Sequence, residues 1–214
     1  ELLIALLQLL DSVCVMHLCR NREYVTNRMM GNLKANHIDL NKRWYAMRDL
    51  KRSNALLPAY KQLSEMGIQV FTPMVSRLFV RNGKRIRREV PFIQDLLFVN
   101  DFRQNLDPIV AKIPTLQYRF KKGGKFCEPI VVRDEDMSKF ISAVQSSDNP
   151  KFYSFDEISA LKCGSNIRMI GGVLDGCEGK LKSVRGSKTK SLIIVLPSLL
   201  AVSVEINDEF IELL

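Results

Sequence analysis

Several short stretches after residue 42 have the apolar and polar pattern of β-strands; IQVFTPMV alternates between the two faces of a strand, and PFIQDLLFVND has the continuous apolar run of a buried strand. Such stretches are RWYAMRDL, IQVFTPMV, PFIQDLLFVND and TLQYRFKKGG. Between them, ALLPAYKQLSEMG and NLDPIVAKIP predict helices that end at Gly67 and Pro114, since glycine and proline are common just beyond a helix. We therefore expect strands and helices to mix within one domain, residues 42–147.

A β-hairpin is predicted within this domain. The stretch SRLFVRNGKRIRREV carries Asn82 and Gly83 between two strand-like runs. This dipeptide tolerates the two positive φ angles of a type I′ turn.

The last predicted element of the domain is the helix RDEDMSKFISAVQSS. Asp134 is its expected N-cap, and its apolar stripe consists of Met137, Phe140, Ile141 and Val144. The order β-α-β-β-β-α-β-α, with a hairpin inside, favours an α+β fold with an antiparallel sheet and flanking helices over a doubly wound parallel sheet.

The periodicity breaks after this helix, where SSDNPKFYSFDEISALKCGSN is rich in polar and turn residues. We expect a linker at residues 148–163. Short β runs separated by glycine turns follow, among them NIRMI, GKLKSVR, SLIIVL and LAVSVEI. Five short strands in about 50 residues predict a small SH3-like β-barrel over residues 164–214.

Residues 1–41 are predicted to be an N-terminal appendage of helical character. Their apolar run is interrupted at Gln8 and Asp11, which is short of the roughly 20 residues that span a membrane. The stretch also lacks the basic n-region of a secretory signal.

The composition of the chain limits which classes of binding partner are expected. The 214 residues, 46% of them hydrophobic, suffice for two small domains. The formal net charge of +9 favours polyanionic partners such as nucleic acid, an anionic membrane or an acidic protein surface. The five cysteines are scattered, and none forms a C-x-x-C pair, which argues for a reducing cytoplasm and against a disulfide framework or structural zinc.

The glycine-rich stretch GGVLDGCEG, residues 171–179, raises the question of a phosphate-binding loop. Such a loop must lead directly into a helix whose N-terminal amides face the phosphates. Here a β run follows Lys180, and Asp175 and Glu178 would repel phosphate. A strand, a tight turn and a second strand are therefore the favoured interpretation.

Two stretches resemble known domains. GSNIRMIGGVLDGCEGKLKSV resembles the KOW motif, in which a strand leads through a glycine-rich turn into an apolar and basic strand. RWYAMRDL, VFTPMVSRLFVRNGKR and VPFIQDLLFV are similar, in the same order, to the NusG N-terminal domain, or NGN domain. The PM followed by a basic NGKR hairpin is particularly similar to specialised NusG paralogues, the RfaH and UpxY types.

This resemblance covers about residues 42 to 214 and implies a bacterial transcription elongation factor, located in the cytoplasm. Its NGN domain would bind the clamp helices of RNA polymerase, bridge the cleft over DNA or nascent RNA, and suppress pausing or termination. Selected long operons, such as capsular polysaccharide operons, are the implied targets. Rho or a ribosomal protein would bind the KOW domain. The alternative is an RNA-binding or ribosome-associated KOW protein.

Matched to the family motif, the polymerase contact falls on Arg48, Ile93, Leu96 and Phe98. An apolar anchor with one charged residue at its rim is typical of interfaces. NusG proteins commonly read Phe-Pro-Gly-Tyr where this chain has IQDL, so aliphatic residues replace two aromatic ones. The apolar residues are equally explained as sheet core, and both interpretations stay open here.

The basic residues of the hairpin are the predicted nucleic-acid contacts. They are Arg81, Lys84, Arg85, Arg87 and Arg88. Contacts to phosphates would add affinity without sequence choice, and the polymerase gate loop is another candidate partner. The alternative is a solvated, charge-rich hairpin. Lys121, Lys122 and Lys125 form a second, weaker candidate patch.

No catalytic, metal or cofactor site is predicted. Asp134, Glu135 and Asp136 are adjacent acids, but a metal site needs ligands that converge from separate elements. Acids in the first turn of a helix are explained by its dipole. Both histidines, His17 and His37, lie in the appendage, so no Ser-His-Asp set is available and we expect no enzyme activity.

Overall fold

The structure, a computed structural model, describes residues 41–50, 57–123, 127–160, 164–183, 189–206 and 211–214. The described residues belong to two compact units, one holding those between Lys121 and Glu128 and the other holding the rest. The predicted appendage lies outside the described residues except for Asn41. Among the described helices, none is both long and apolar enough to cross a bilayer.

The first part of the larger unit contains seven strands and three helices. They are β1 (Arg43–Asp49), α1 (Ala59–Glu65), β2 (Gln69–Phe71), β3 (Met74–Arg81), β4 (Lys84–Pro91), β5 (Leu96–Asp101), α2 (Arg103–Lys112), β6 (Leu116–Tyr118), β7 (Val131–Val132) and α3 (Asp134–Ser146). Five strands form an antiparallel sheet in the order β2-β5-β1-β6, with β7 also paired to β1. The predicted α+β fold is confirmed.

This sheet has an apolar residue set on each face, as the strand alternation requires. On one face, Tyr45, Met47, Leu97 and Val99 pack with Ala59 and Leu63 of α1 and Leu106 of α2. On the other face, Trp44, Ala46, Leu96 and Phe98 belong to a cluster with Met137, Phe140 and Ala143 of α3. The sheet is therefore covered by helices on both sides.

The predicted hairpin is confirmed. Strands β3 and β4 pair in register from Met74 opposite Pro91 to Arg81 opposite Lys84, as a two-stranded sheet of their own. The turn residues Asn82 and Gly83 have φ angles of 50° and 73°. Glycine accepts the second angle at no steric cost, which fixes the turn and hence the register.

The predicted N-cap of α3 is wrong. Arg133 occupies the cap position, no side chain caps the helix there, and Asp134 is the first helical residue. The guanidinium of Arg133 instead donates two hydrogen bonds to Asp136, at 2.8 and 3.1 Å. Three acids in the first turn interact favourably with the helix dipole, so they stabilise this end without acting as the cap.

The C-terminal part is a six-stranded antiparallel sheet in the order β13-β9-β10-β11-β12-β8. Its elements are β8 (Lys151–Ser154), α4 (Phe155–Ala160), β9 (Asn166–Met169), β10 (Glu178–Ser183), β11 (Lys190–Leu196), β12 (Leu200–Ile206) and β13 (Ile211–Leu213). The five strands from β9 onward fit a small SH3-like domain, as predicted. Residues 148–163, the expected linker, contain β8 and α4, and the domain boundaries stay a prediction.

A series of phenylalanine rings connects the two sheets. Phe152 of β8 lies 5.5 Å from Phe92 and 6.4 Å from Phe140 of α3, measured between ring centroids. Phe140 in turn lies 6.1 Å from Phe71, and Phe71 lies 6.5 Å from Phe98. Buried residues of β9, β11 and β12 belong to the same apolar cluster as Phe98. The two sheets therefore share one core.

The glycine-rich stretch forms the turn between β9 and β10, as predicted. The Gly171 amide donates to the Asp175 carboxylate at 2.6 Å, and the Gly176 amide donates to the Met169 carbonyl oxygen at 2.9 Å. These amides are bonded within the chain and do not form a phosphate site. Gly179 follows where β10 passes so close to β11 that a Cβ would collide with the Ile193 carbonyl oxygen.

Two cysteines can be described. Cys127 is disulfide-bonded, which the scattered cysteines did not predict. Cys177 is a buried free thiol whose pKa is raised by burial. Cys14, Cys19 and Cys163 lie outside the described residues. A raised pKa keeps the Cys177 thiol protonated and unreactive, so it contributes to the core as a small apolar side chain.

We expect Gly179→Ala to lower the free energy of unfolding by about 3 kcal/mol, because the new Cβ would force β10 away from β11. Chemical denaturation measures the loss. Gly172→Ala is the control, since Gly172 has a φ of +72° but no atom within 4 Å of the added Cβ. Backbone strain alone predicts about 1 kcal/mol there. Equal losses in both variants would contradict the close-approach explanation.

Phe152→Ala should lower the free energy of unfolding by about 3 kcal/mol, because truncating a buried ring leaves a cavity between Phe92 and Phe140. The control is Phe155→Ala, three residues away, where the side chain is 52% exposed. We expect the control to change stability by less than about 0.5 kcal/mol. A loss below about 1 kcal/mol for Phe152→Ala would show that the ring does not join the two sheets.

Candidate functional site

The pairing of β1 with β5 brings the predicted polymerase-contact residues together. Arg48 lies opposite Leu96, and Ala46 lies opposite Phe98. Since alternate residues share a face, Arg48, Leu96 and Phe98 lie on the α3 side of the sheet. Ile93 precedes β5 in a turn in which the Leu96 amide donates to its carbonyl oxygen at 3.2 Å. All four predicted residues therefore lie on or beside one face.

Their exposure differs. The side chains of Leu96 and Phe98 are 2% and 0% exposed and belong to the core. Arg48 and Ile93 are partly exposed, and Ile93 packs at the edge of the same cluster. In this structure the sheet-core interpretation describes Leu96 and Phe98, whereas a partner can reach Arg48 and Ile93 without any rearrangement.

Two arginines share one carboxylate at the rim of this face. Asp95 lies 3.0 Å from Nε of Arg48 and 2.9 Å from a terminal nitrogen of Arg119. The Arg119 backbone amide donates to the Ala46 carbonyl oxygen at 2.9 Å, which holds residue 119 beside β1. The cluster carries one positive charge more than its single acid neutralises.

The side chain of Arg119 is more buried than that of Arg48, at 22% against 39% exposed. Loss of solvent lowers the pKa of the Arg119 guanidinium, and Arg48 acts in the same direction, while Asp95 opposes both. The guanidinium stays protonated at any physiological pH. Sequence reasoning missed Arg119, although the strand alternation of TLQYRF would have put it on the same face as Gln117.

All five predicted basic residues of the hairpin lie on its exposed surface. Arg77, which the prediction omitted, lies directly opposite Arg88 and is a sixth basic residue of β3 and β4. Within the described part of the chain, none of the six has an acidic partner. The side chains of Leu78, Phe79 and Val80 are exposed among them. The hairpin therefore combines uncompensated positive charge with exposed apolar surface.

The second candidate patch is described only in part. Lys121 forms an ion pair with Glu128 at 2.6 Å, and Lys122 is exposed. Lys125 lies outside the described residues. One of the two described lysines is therefore already neutralised.

Comparison with known proteins finds a family that is similar to the first part of the chain. Residues 42–141 match the family described as NusG, transcription termination factor nusG. No curated protein matches the sequence. The matched residues run from β1 into α3 and include the rim cluster and the hairpin. The description of this family is that of a transcription factor. Over residues 42–141 the chain is therefore NusG-like, which supports a transcription elongation or termination factor in general.

Proposed function

We propose that this chain is a bacterial transcription elongation regulator that binds the clamp helices of RNA polymerase and suppresses pausing or termination. The family match over residues 42–141 supports the general role. The PM and NGKR residues, which resemble the RfaH and UpxY types, support a specialised paralogue for selected long operons such as capsular polysaccharide operons. The proposed location is the cytoplasm.

The observation that carries the proposal is the partly exposed Ile93 beside a rim cluster with an excess positive charge. Interfaces combine an apolar anchor with a charged rim that directs the partner. The Arg48, Asp95 and Arg119 cluster would accept an acidic side chain of the clamp helices, because one carboxylate cannot neutralise two guanidinium groups. Ile93 would supply the apolar anchor next to it.

Leu96 and Phe98 need a different role in this proposal. Both are buried beneath the cluster that includes Phe140 and Phe152. They form the floor that holds Ile93 and Arg48 in place, and they would contact polymerase directly only after α3 or β8 moved away. The packing of Phe152 on Phe92 at 5.5 Å would oppose that movement.

The remaining partners follow from charge and from the resemblance. The basic hairpin would contact DNA or nascent RNA in the elongation complex through phosphates. The C-terminal sheet, which we propose to be a KOW domain, would bind a second protein such as Rho or a ribosomal protein.

Purified bacterial RNA polymerase provides the direct test. We expect the full chain to bind saturably, and we expect Arg48→Gln and Ile93→Ala each to weaken binding by about tenfold, the effect of losing an interface residue worth about 1.4 kcal/mol. Lys61→Gln is the matched control, because Lys61 is an exposed residue of α1 on the opposite side of the sheet. Circular dichroism confirms that each variant is folded.

Two outcomes would overturn the proposal. One is no binding of the folded native chain to polymerase. The other is equal binding by Arg48→Gln, Ile93→Ala and the control, which would move the interface elsewhere. If the chain does not bind polymerase but binds RNA in a salt-sensitive way, the alternative of an RNA-binding KOW protein is favoured.

Asp95→Asn should tighten polymerase binding by about two- to fivefold, because the removed carboxylate competes with the partner's acid for two arginines, and an exposed ion pair is worth about 0.2–1 kcal/mol. The free energy of unfolding should fall by about 1 kcal/mol or less, and less at high salt. Asp148→Asn is the control, since Asp148 is exposed and has no ion pair among the described residues. Weaker binding by folded Asp95→Asn would contradict this role of the rim cluster.

A further inference from the structure

The β3–β4 hairpin has a charge pattern that its own folding does not explain. Its register pairs Arg77 with Arg88 and Arg81 with Lys84. Like charges directly opposite each other destabilise an antiparallel pair. The one acid in the stretch, Glu89, lies opposite Ser76 and not opposite a basic residue. The two opposed pairs therefore imply an external partner that supplies negative charge.

The two faces of the hairpin differ. One face, here called the four-cation face, carries the Arg77–Arg88 and Arg81–Lys84 pairs with Phe79 opposite Ile86 between them. Phe79 and Ile86 are 43% and 37% exposed. The opposite face, here called the two-cation face, carries Arg85 and Arg87 on one strand, with Val80 and Leu78 facing them on the other.

The spacing of the two pairs matches a double-stranded polyanion. Arg77 and Arg81 are four residues apart on one strand, which corresponds to about 13 Å at the usual rise of a β-strand. The grooves of B-form DNA are about 6 and 12 Å wide and are bordered by two phosphate backbones. The pairs are thus far enough apart for each to reach a different backbone, while Phe79 and Ile86 face the groove between them.

We propose that the four-cation face binds duplex DNA across a groove, with one cation pair on each phosphate backbone. This deepens the function proposed above, on which it rests, by naming duplex DNA as the partner of one defined face. The contacts are to phosphates, so the face binds without sequence choice. The two-cation face is left free for other contacts in the complex.

Fluorescence anisotropy of the full chain with a labelled mixed-sequence duplex, and with one of its single strands, tests this proposal. Two double variants carry the same loss of charge, Arg77→Gln with Arg88→Gln and, as the matched control, Arg85→Gln with Arg87→Gln. Each phosphate contact adds about −0.9 to the slope of log K against log salt. We expect the first variant to reduce the magnitude of the slope by about 1.8 and the control to reduce it by less than about 0.5.

Two further measurements sharpen the comparison. Phe79→Ala should lower duplex affinity without changing the salt slope, because it removes an apolar contact and no charge. The native chain should bind the duplex more tightly than the single strand, since only the duplex offers two backbones. If the Arg77 and Arg88 variant does not fold, Arg81→Gln with Lys84→Gln removes the other pair, next to the turn.

Equal losses in the two double variants would overturn the assignment of one face and leave only a general attraction of charge. Equal or tighter binding of the single strand would overturn duplex DNA as the partner in favour of single-stranded nucleic acid. Polymerase binding is measured on the same variants without DNA. Its retention separates a failure of this inference from a failure of the polymerase proposal, which depends on Arg48 and Ile93.

Discussion

The packing of Phe140 between the two sheets is the contact on which the rest of the structure depends. Phe140 lies against Phe71 on one side and Phe152 on the other. Helix α3 therefore covers one apolar face of the first sheet and also packs against β8, the first strand of the second sheet. On the α3 side, the two sheets do not have separate cores, because buried side chains from both belong to one cluster.

This shared core determines which candidate site residues are accessible. The face of β1 and β5 that the family resemblance assigns to polymerase is the face that α3 covers, so Phe98 and Leu96 are buried and the accessible part shifts to its rim. There, backbone amides and carbonyls of the sheet hold Arg48 and Arg119 around Asp95. The packing of α3 on this face buries Leu96 and Phe98 at its centre and leaves Arg48 partly exposed at its rim. A change in that packing would therefore change the exposure of both parts.

The sequence was a good guide where local rules decide the structure. The β-type run RWYAMRDL and the buried-looking run PFIQDLLFVND predicted β1 and β5. Asn82-Gly83 predicted the hairpin, because a type I′ turn leaves few choices of residue. Local rules failed where distant contacts decide. Strand β8 forms because it pairs with β12 at the edge of the sheet. In the sequence alone, the polar residues that flank β8 look like a linker. Asp134 has the composition of an N-cap, but the helix begins one residue earlier than that role requires. Arg119 escaped notice because no motif marks it.

Positive charge, like apolar surface, is distributed unevenly over the molecule. The 18 residues 74–91 contain six basic residues and one acid, a net +5, which is more than half of the chain's formal +9. An ordinary solvated surface intersperses both signs, and opposed like charges reduce the stability of the hairpin that carries them. A type I′ turn and a fixed register hold these charges together despite their repulsion. In the proposed complex a polyanion compensates this charge, whereas one additional carboxylate would suffice for the rim cluster. The two surfaces are suited to different partners, and one domain presents both.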